Sequence, residues 1–210
     1  MTSLPLVDRG LQVKASTKAI AGSAVLGALV IVLDHAFKWG GVKIPFPIFP
    51  RLRFDLDGIP VVVALLLYGP YSGIITSAVV FLSISYRDPV SAFMRSLAEF
   101  ATILGMMPFY MSSNRYVKAT SMGAGVLSRV VVMTAGNYYL LPAFSIMTAQ
   151  AVAAILPFIA AFNVAAGALS VFGGYFIYEA LIRRIPSLAR RPGKQQVAAV
   201  DALSPLQPAK

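Results

Sequence analysis

The chain of 210 residues is 58% hydrophobic and only 12% charged, too apolar for a soluble domain of this size, and it reads as an integral membrane protein. Its net charge of +10 does not indicate nucleic acid as a partner, because the basic residues gather in short segments flanking apolar runs, the pattern that orients a chain in a membrane. Cysteine is absent, which excludes disulfides, thiolate metal sites and a cysteine nucleophile.

The polar segment 1–17 leads into a first apolar run from Ala19 to Phe37. This run exceeds the roughly 7–15 residues of a secretory signal core and continues into Asp34, His35 and Lys38, so it is expected to be a retained span. Within it, Ala24 and Ala28, and a second series Ala19, Ser23 and Gly27, place small side chains four residues apart, which lets another helix approach closely. A partner protein and packing inside the bundle both satisfy that pattern. His35 stands alone, and one imidazole makes no metal site, so a structural role at the membrane interface is expected of it.

Next comes a loop bearing Phe46, Phe49 and Phe54, then "RFDLDGIPVVVALLLYGPYSG" from Arg53, with Asp55 and Asp57 immediately ahead of the apolar run Ile59 to Leu82. Carboxylates at that place accept hydrogen bonds from free N-terminal amides and meet the positive end of the helix dipole, so a capping role is expected rather than a catalytic pair. Gly69-Pro70 interrupts the run, leaving either one kinked helix or two short ones. Charge decides between them. Two helices give six spans, with eleven basic residues on the side of the termini and six on the other; one kinked helix gives five against twelve, with the whole tail outside. The positive-inside bias favours an all-α bundle of six transmembrane helices with both termini cytoplasmic. Helices two and three then have about 10–14 apolar residues each, short of the ~20 that cross a bilayer unaided.

Three further runs, Ala98 to Met111, Met122 to Leu141 and Val152 to Ile182, complete the bundle. Polar groups inside spans must face the bundle, a cavity or one another. Glu99 is expected near the outer end of span four, Arg129 near the middle of span five, and Asn137 and Asn163 in spans five and six. With Pro157 read as a first-turn proline, Asn137 lies ~6 Å and Asn163 ~9 Å below the outer ends of their helices, at similar depth. Tyr138, Tyr139, Phe144, Phe158 and Phe162 are nearby in sequence. Two amides with aromatic walls suit a flat, weakly charged heteroaromatic ligand, although interhelical bonds and an interfacial aromatic belt account for the same residues. Arg129 and Glu99 are candidates for a mutual ion pair. The tail 185–210 is expected to be a disordered basic cytoplasmic segment, which leaves 18–184 as the membrane domain. The chain has no phosphate-cradling Gly-x-x-x-x-Gly-Lys-Ser/Thr loop and no metal-spaced cluster, so no cofactor is expected and any uphill transport draws its energy from elsewhere.

Three stretches, "PRLRFDLDGIPVVVALLLYGPYSGII" at 50–75, "GNYYLLPAF" at 136–144 and "LPFIAAFNVAAG" at 156–167, together resemble the substrate-binding S components of energy-coupling factor (ECF) vitamin transporters, most of all the riboflavin-type members. The resemblance implies a six-helix bundle in a prokaryotic cell membrane, with a vitamin pocket opening outward under the first loop. It also implies assembly with a transmembrane coupling protein and two ATP-binding cassette subunits, and no enzymatic activity of the chain itself. By position, the residues implied for substrate binding are Leu52, Arg53, Asp55, Asn137, Tyr138, Asn163 and Ala166, and those implied for contact with the coupling protein are Ala24 and Ala28. Ala166 stands where the family often has lysine, and Asp57-Gly58 where it often has Ser-Asp. Another vitamin or a nucleobase-like compound is therefore the alternative ligand, and a membrane enzyme acting on lipid, with Glu99, Arg129 and Asp55 as its groups, is the alternative of a different class.

Overall fold

In the computed structural model, residues 17–41, 44–47, 52–110 and 114–188 are described. Among them are six α-helices: α1 (Thr17–Trp39), α2 (Gly58–Tyr68), α3 (Pro70–Ser85), α4 (Pro89–Met106), α5 (Arg115–Ala143) and α6 (Ala149–Arg184). The tail expected to be disordered lies almost wholly outside the described residues, as does the segment before Thr17.

Gly69 and Pro70 make two helices of the second apolar run. Gly69 takes φ 95°, a left-handed value that disfavours any side chain, while its N–H closes the last turn of α2 on the Leu65 carbonyl. Pro70 then opens α3 at the first helical position, where its missing N–H costs nothing. The other helices are longer than the apolar runs suggest. Asp88 accepts from the Ser91 N–H and Pro89 follows, so α4 begins nine residues before Ala98, and Glu99 lies mid-helix rather than near an end. Thr148 caps α6 in the same way, which puts Pro157 inside the helix instead of in its first turn.

Around the bundle the packing order is α1, α3, α4, α5, α6, α2 and back to α1, with α2 also touching α3 and α4. That places α2 inside. Its residues from Pro60 to Leu67 are all buried, as expected of a helix that is apolar on every side. With 11 residues it is only ~16 Å long, about half the hydrocarbon thickness of a bilayer. Among the described residues, α1 and α6 are the two helices both long and apolar enough to cross a membrane by themselves. Between α3 and α4, the Ser77 hydroxyl donates to the Ser96 carbonyl at 3.2 Å and the Ser96 hydroxyl to the Ser77 carbonyl at 3.0 Å, a reciprocal clasp that satisfies both hydroxyls within the bundle.

Before α2, strands β1 (Ile44–Pro45) and β2 (Arg53–Phe54) pair antiparallel, with Ile44 opposite Phe54 and Pro45 opposite Arg53. The Phe46 N–H donates to the Leu52 carbonyl at 2.8 Å. The described parts of the link from α1 to α2, 44–47 and 52–57, thus form a flap at the end of the bundle where α2 begins.

Glycine lets α4 and α5 approach closely. A Cβ on Gly105 of α4 would fall 2.3 Å from the Ala124 carbonyl oxygen of α5, a backbone atom that cannot rotate away, whereas a Cβ on Gly123 would meet nothing within 4 Å. Gly105→Ala should therefore destabilise the protein by about 1–3 kcal/mol, and Gly123→Ala should be neutral or stabilising by up to ~1 kcal/mol. Thermal unfolding of the two variants in detergent checks the contrast.

Candidate functional site

At the flap end of the bundle, a cavity of about 410 Å³ opens between α1, α4, α5, α6 and the flap, within the ~300–1,000 Å³ usual for small-molecule sites. Its deep wall carries Asn137 of α5 and Asn163 of α6, with Met133, Ile159 and Ala98 as apolar neighbours. Its mouth carries Asp34, Lys38, Arg53, Asp55, Arg87, Asp88 and Arg95.

The mouth is held by ion pairs. Arg95, from the second turn of α4, pairs with Asp55 through Nη2 and with Asp57 through Nη1 at 3.0 Å, and its Nη1 also lies 3.9 Å from Asp34 of α1. Arg87 donates to Asp34, which is fully buried. One guanidinium therefore gathers carboxylates from α1 and from the chain leading into α2. The Asp57 side chain makes no capping hydrogen bond to α2, which corrects the expected capping role: its carboxylate is turned to Arg95, although it still lies at the positive end of the helix.

Aromatic rings fix the flap from the other side. Phe46 and Phe54 of the flap and Phe162 of α6 form a triangle with centroid separations of 6.0, 5.7 and 5.0 Å, distances at which ring pairs attract. Phe162 also lines the cavity.

Beneath the cavity, Arg129 and Glu99 form a buried pair with Nη1 2.7 Å from Oε1, which gives the two candidates each other as partners. Arg129 Nε donates to Asn163 Oδ1 at 3.3 Å, and Asn163 Nδ2 donates to the Ile159 carbonyl at 2.9 Å. Asn137 Nδ2 donates to the Met133 carbonyl at 2.6 Å.

Residues 18–178 match the family model described as ECF transporter, substrate-specific component. The chain belongs to this family. As an ECF substrate-specific component it is a membrane protein that serves a transporter, not an enzyme. Its fold is similar to a solved structure described as the S component of a bacterial ECF transporter, with a TM-score of 0.64 and 24% identity over 83% of this chain and 98% of that one. No curated protein matches the sequence.

In this S component, five of the residues singled out in the sequence, Leu52, Arg53, Asp55, Asn137 and Asn163, line one cavity. Tyr138 does not line it: successive helical residues point ~100° apart, so with Asn137 inward Tyr138 is 41% exposed and packs edge-on against Tyr139. Ala166 is buried in α6, also outside the lining, and Phe144 and Phe158 face outward. Ala24 and Ala28 are exposed on α1, where with Ser23, Gly27, Tyr71 and Ile75 they line an apolar groove of about 530 Å³ between α1 and α3. Sequence reasoning did not single out Asp34, Arg87 and Arg95 for the site. The available signal was Asp34 inside an apolar run, since a carboxylate there requires a cationic partner.

Asp88 has its carboxyl held below the ordinary value of 3.8, first by the Ser91 hydroxyl and then by the Ser91 N–H. Its stabilisation is therefore complete above that value and is lost as the pH falls through the lowered one. Asp88→Ala should destabilise by about 1 kcal/mol at neutral pH, and Asp88→Asn should retain most of the cap while removing the acid dependence. Unfolding of the three proteins measured from pH 7 to pH 3 checks both expectations.

Proposed function

We propose that this S component binds a flat heteroaromatic vitamin, riboflavin as the first candidate, and delivers it to an ATP-driven uptake complex. The observation that carries the reading is the pair of buried amides, Asn137 and Asn163, on the wall of a cavity that also presents Phe162. Amides read the donors and acceptors on a ring edge, and the aromatic ring stacks on its face. The mouth charges largely cancel through their pairings, which suits a neutral ligand better than an ionic one.

The cytoplasmic placement of both termini is supported by the balance of lysine and arginine along the whole sequence, eleven on the side of the termini against six on the side of the cavity. The cavity then opens outward and the flap covers it. The α1–α3 groove with Ala24 and Ala28 receives a helix of the transmembrane coupling protein, whose ATP-binding cassette partners supply the energy that this chain has no motif to harvest.

Riboflavin titrated into the purified protein should lose its fluorescence at micromolar protein, and Asn137→Ala and Asn163→Ala should each weaken binding at least about tenfold, the loss of one buried hydrogen bond. Absence of quenching by the wild type would remove riboflavin as the ligand. A nucleobase-like compound would then be titrated next. For the groove, Ala24→Leu with Ala28→Leu should abolish co-purification of the coupling protein while leaving vitamin affinity unchanged, and equal recovery of the partner would contradict the docking role.

A further inference from the structure

The cavity wall contains more than two interchangeable amides. Arginine has donors only, so the atom of Asn163 that faces Arg129 Nε at 3.3 Å is its carbonyl oxygen. The Ile159 carbonyl only accepts, so the atom that faces it at 2.9 Å is the amide nitrogen. The two neighbours together impose one orientation on Asn163, in which its second N–H is left to donate into the cavity and its oxygen is already engaged by Arg129. Asn137 differs in having its oxygen unengaged as well as one N–H. Among the described residues its side chain makes one hydrogen bond, from Nδ2 to Met133, so its carbonyl oxygen is available as an acceptor.

Arg129 is itself fixed. Glu99 holds Nη1 at 2.7 Å, and Gly167, four residues beyond Asn163, makes room for the arginine: a Cβ there would sit 3.0 Å from Arg129 Cδ. Gly58, the first residue of α2, does the same for Glu99, since its Cβ would fall 2.5 Å from Oε2. That oxygen has no hydrogen-bond partner among the described residues, but it lies where the N-terminal partial charge of α2 favours an anion. A buried ion pair is weak support for stability, because an apolar pair of similar volume often holds a core as well or better.

We propose that Glu99 and Arg129 are a positioning pair for ligand recognition: Arg129, held by Glu99, locks the Asn163 amide so that the wall offers an N–H donor from Asn163 and a carbonyl acceptor from Asn137. This inference rests on the cavity being the ligand site. It narrows the ligand to one whose ring edge carries adjacent C=O and N–H groups, a lactam or imide. An edge with an amino group in place of the carbonyl faced by Asn163 sets donor against donor and is rejected.

The test uses wild type, Arg129→Lys, which keeps a charge beside Glu99 but has no Nε, and the double variant Glu99→Met/Arg129→Met, which leaves no buried charge. Each is titrated with riboflavin and with its two amino analogues, in which one or other pyrimidine-ring carbonyl is replaced by an amino group. Side-chain amide signals of Asn163, assigned by their loss in Asn163→Ala, are recorded by NMR without ligand. Wild type should reject at least one analogue about 100-fold relative to riboflavin. In the folded variants that ratio should fall below about tenfold, because a released Asn163 turns its oxygen to the amino group, and the Asn163 signals should double or broaden. A variant that unfolds at the wild-type temperature yet retains both the ratio and a single sharp Asn163 pair overturns the proposal. If wild type binds no flavin, the functional reading fails separately and the Asn163 signals decide alone: doubling in the variants supports the positioning pair, and unchanged signals overturn it.

Discussion

The length of α2 is the constraint on which the rest of the structure depends. A helix of 11 residues enclosed by helices of up to 36 leaves the bundle unfilled beyond its N-terminus. Gly69 and Pro70 stop α2 at one end, and the flap leads into it at the other. Space therefore opens above Gly58, walled by the middle of α6 and the second half of α5 and roofed by the flap. The same shortness brings Asp55 and Asp57 down with the chain, where carboxylates are costly unless paired. Arg95 answers that cost, and in doing so ties the flap to α4 and α1.

Two kinds of force hold the site, and they act at different depths. Near the mouth, Arg95 and Arg87 gather Asp34, Asp55 and Asp57, while the Phe46, Phe54 and Phe162 rings pack the flap onto α6. In these contacts Asp34 and Asp57 are buried, while Arg87, Arg95 and Asp55 keep some exposure to solvent. At the wall, Arg129 and Glu99 are removed from water, and each leaves an uncompensated charge if the other is lost.

Much of the fold was legible in the sequence because it rests on local chemistry. Gly69-Pro70 terminates a helix by backbone sterics, and the balance of lysine and arginine across the loops then distinguishes six helices from five. Helix starts were less legible. Apolar runs omit the polar first turns, so the Asp88-Pro89 cap was passed over and Glu99 was placed near an end instead of mid-helix. Within the site, Asn137 and Asn163 stood out as amides in hydrocarbon, and both line the cavity. Tyr138 was carried along by its neighbour although helical geometry turns it away. Arg95 could not be singled out, because its role depends on three carboxylates distant in sequence and on a helix that begins earlier than hydropathy suggests. The orientation of Asn163 likewise depends on Arg129, 34 residues away.

The central claim is that this cavity, through its two amides, holds a flat heteroaromatic vitamin. Native mass spectrometry of the protein purified from cells in detergent tests it most directly, by identifying whatever compound accompanies the wild type and whether it accompanies the Asn137→Ala/Asn163→Ala variant. A single adduct with the mass of a flavin or a related lactam-bearing ring is expected, present on the wild type and lost from the folded variant. An adduct with no such ring, or one retained in full by the variant, would contradict it.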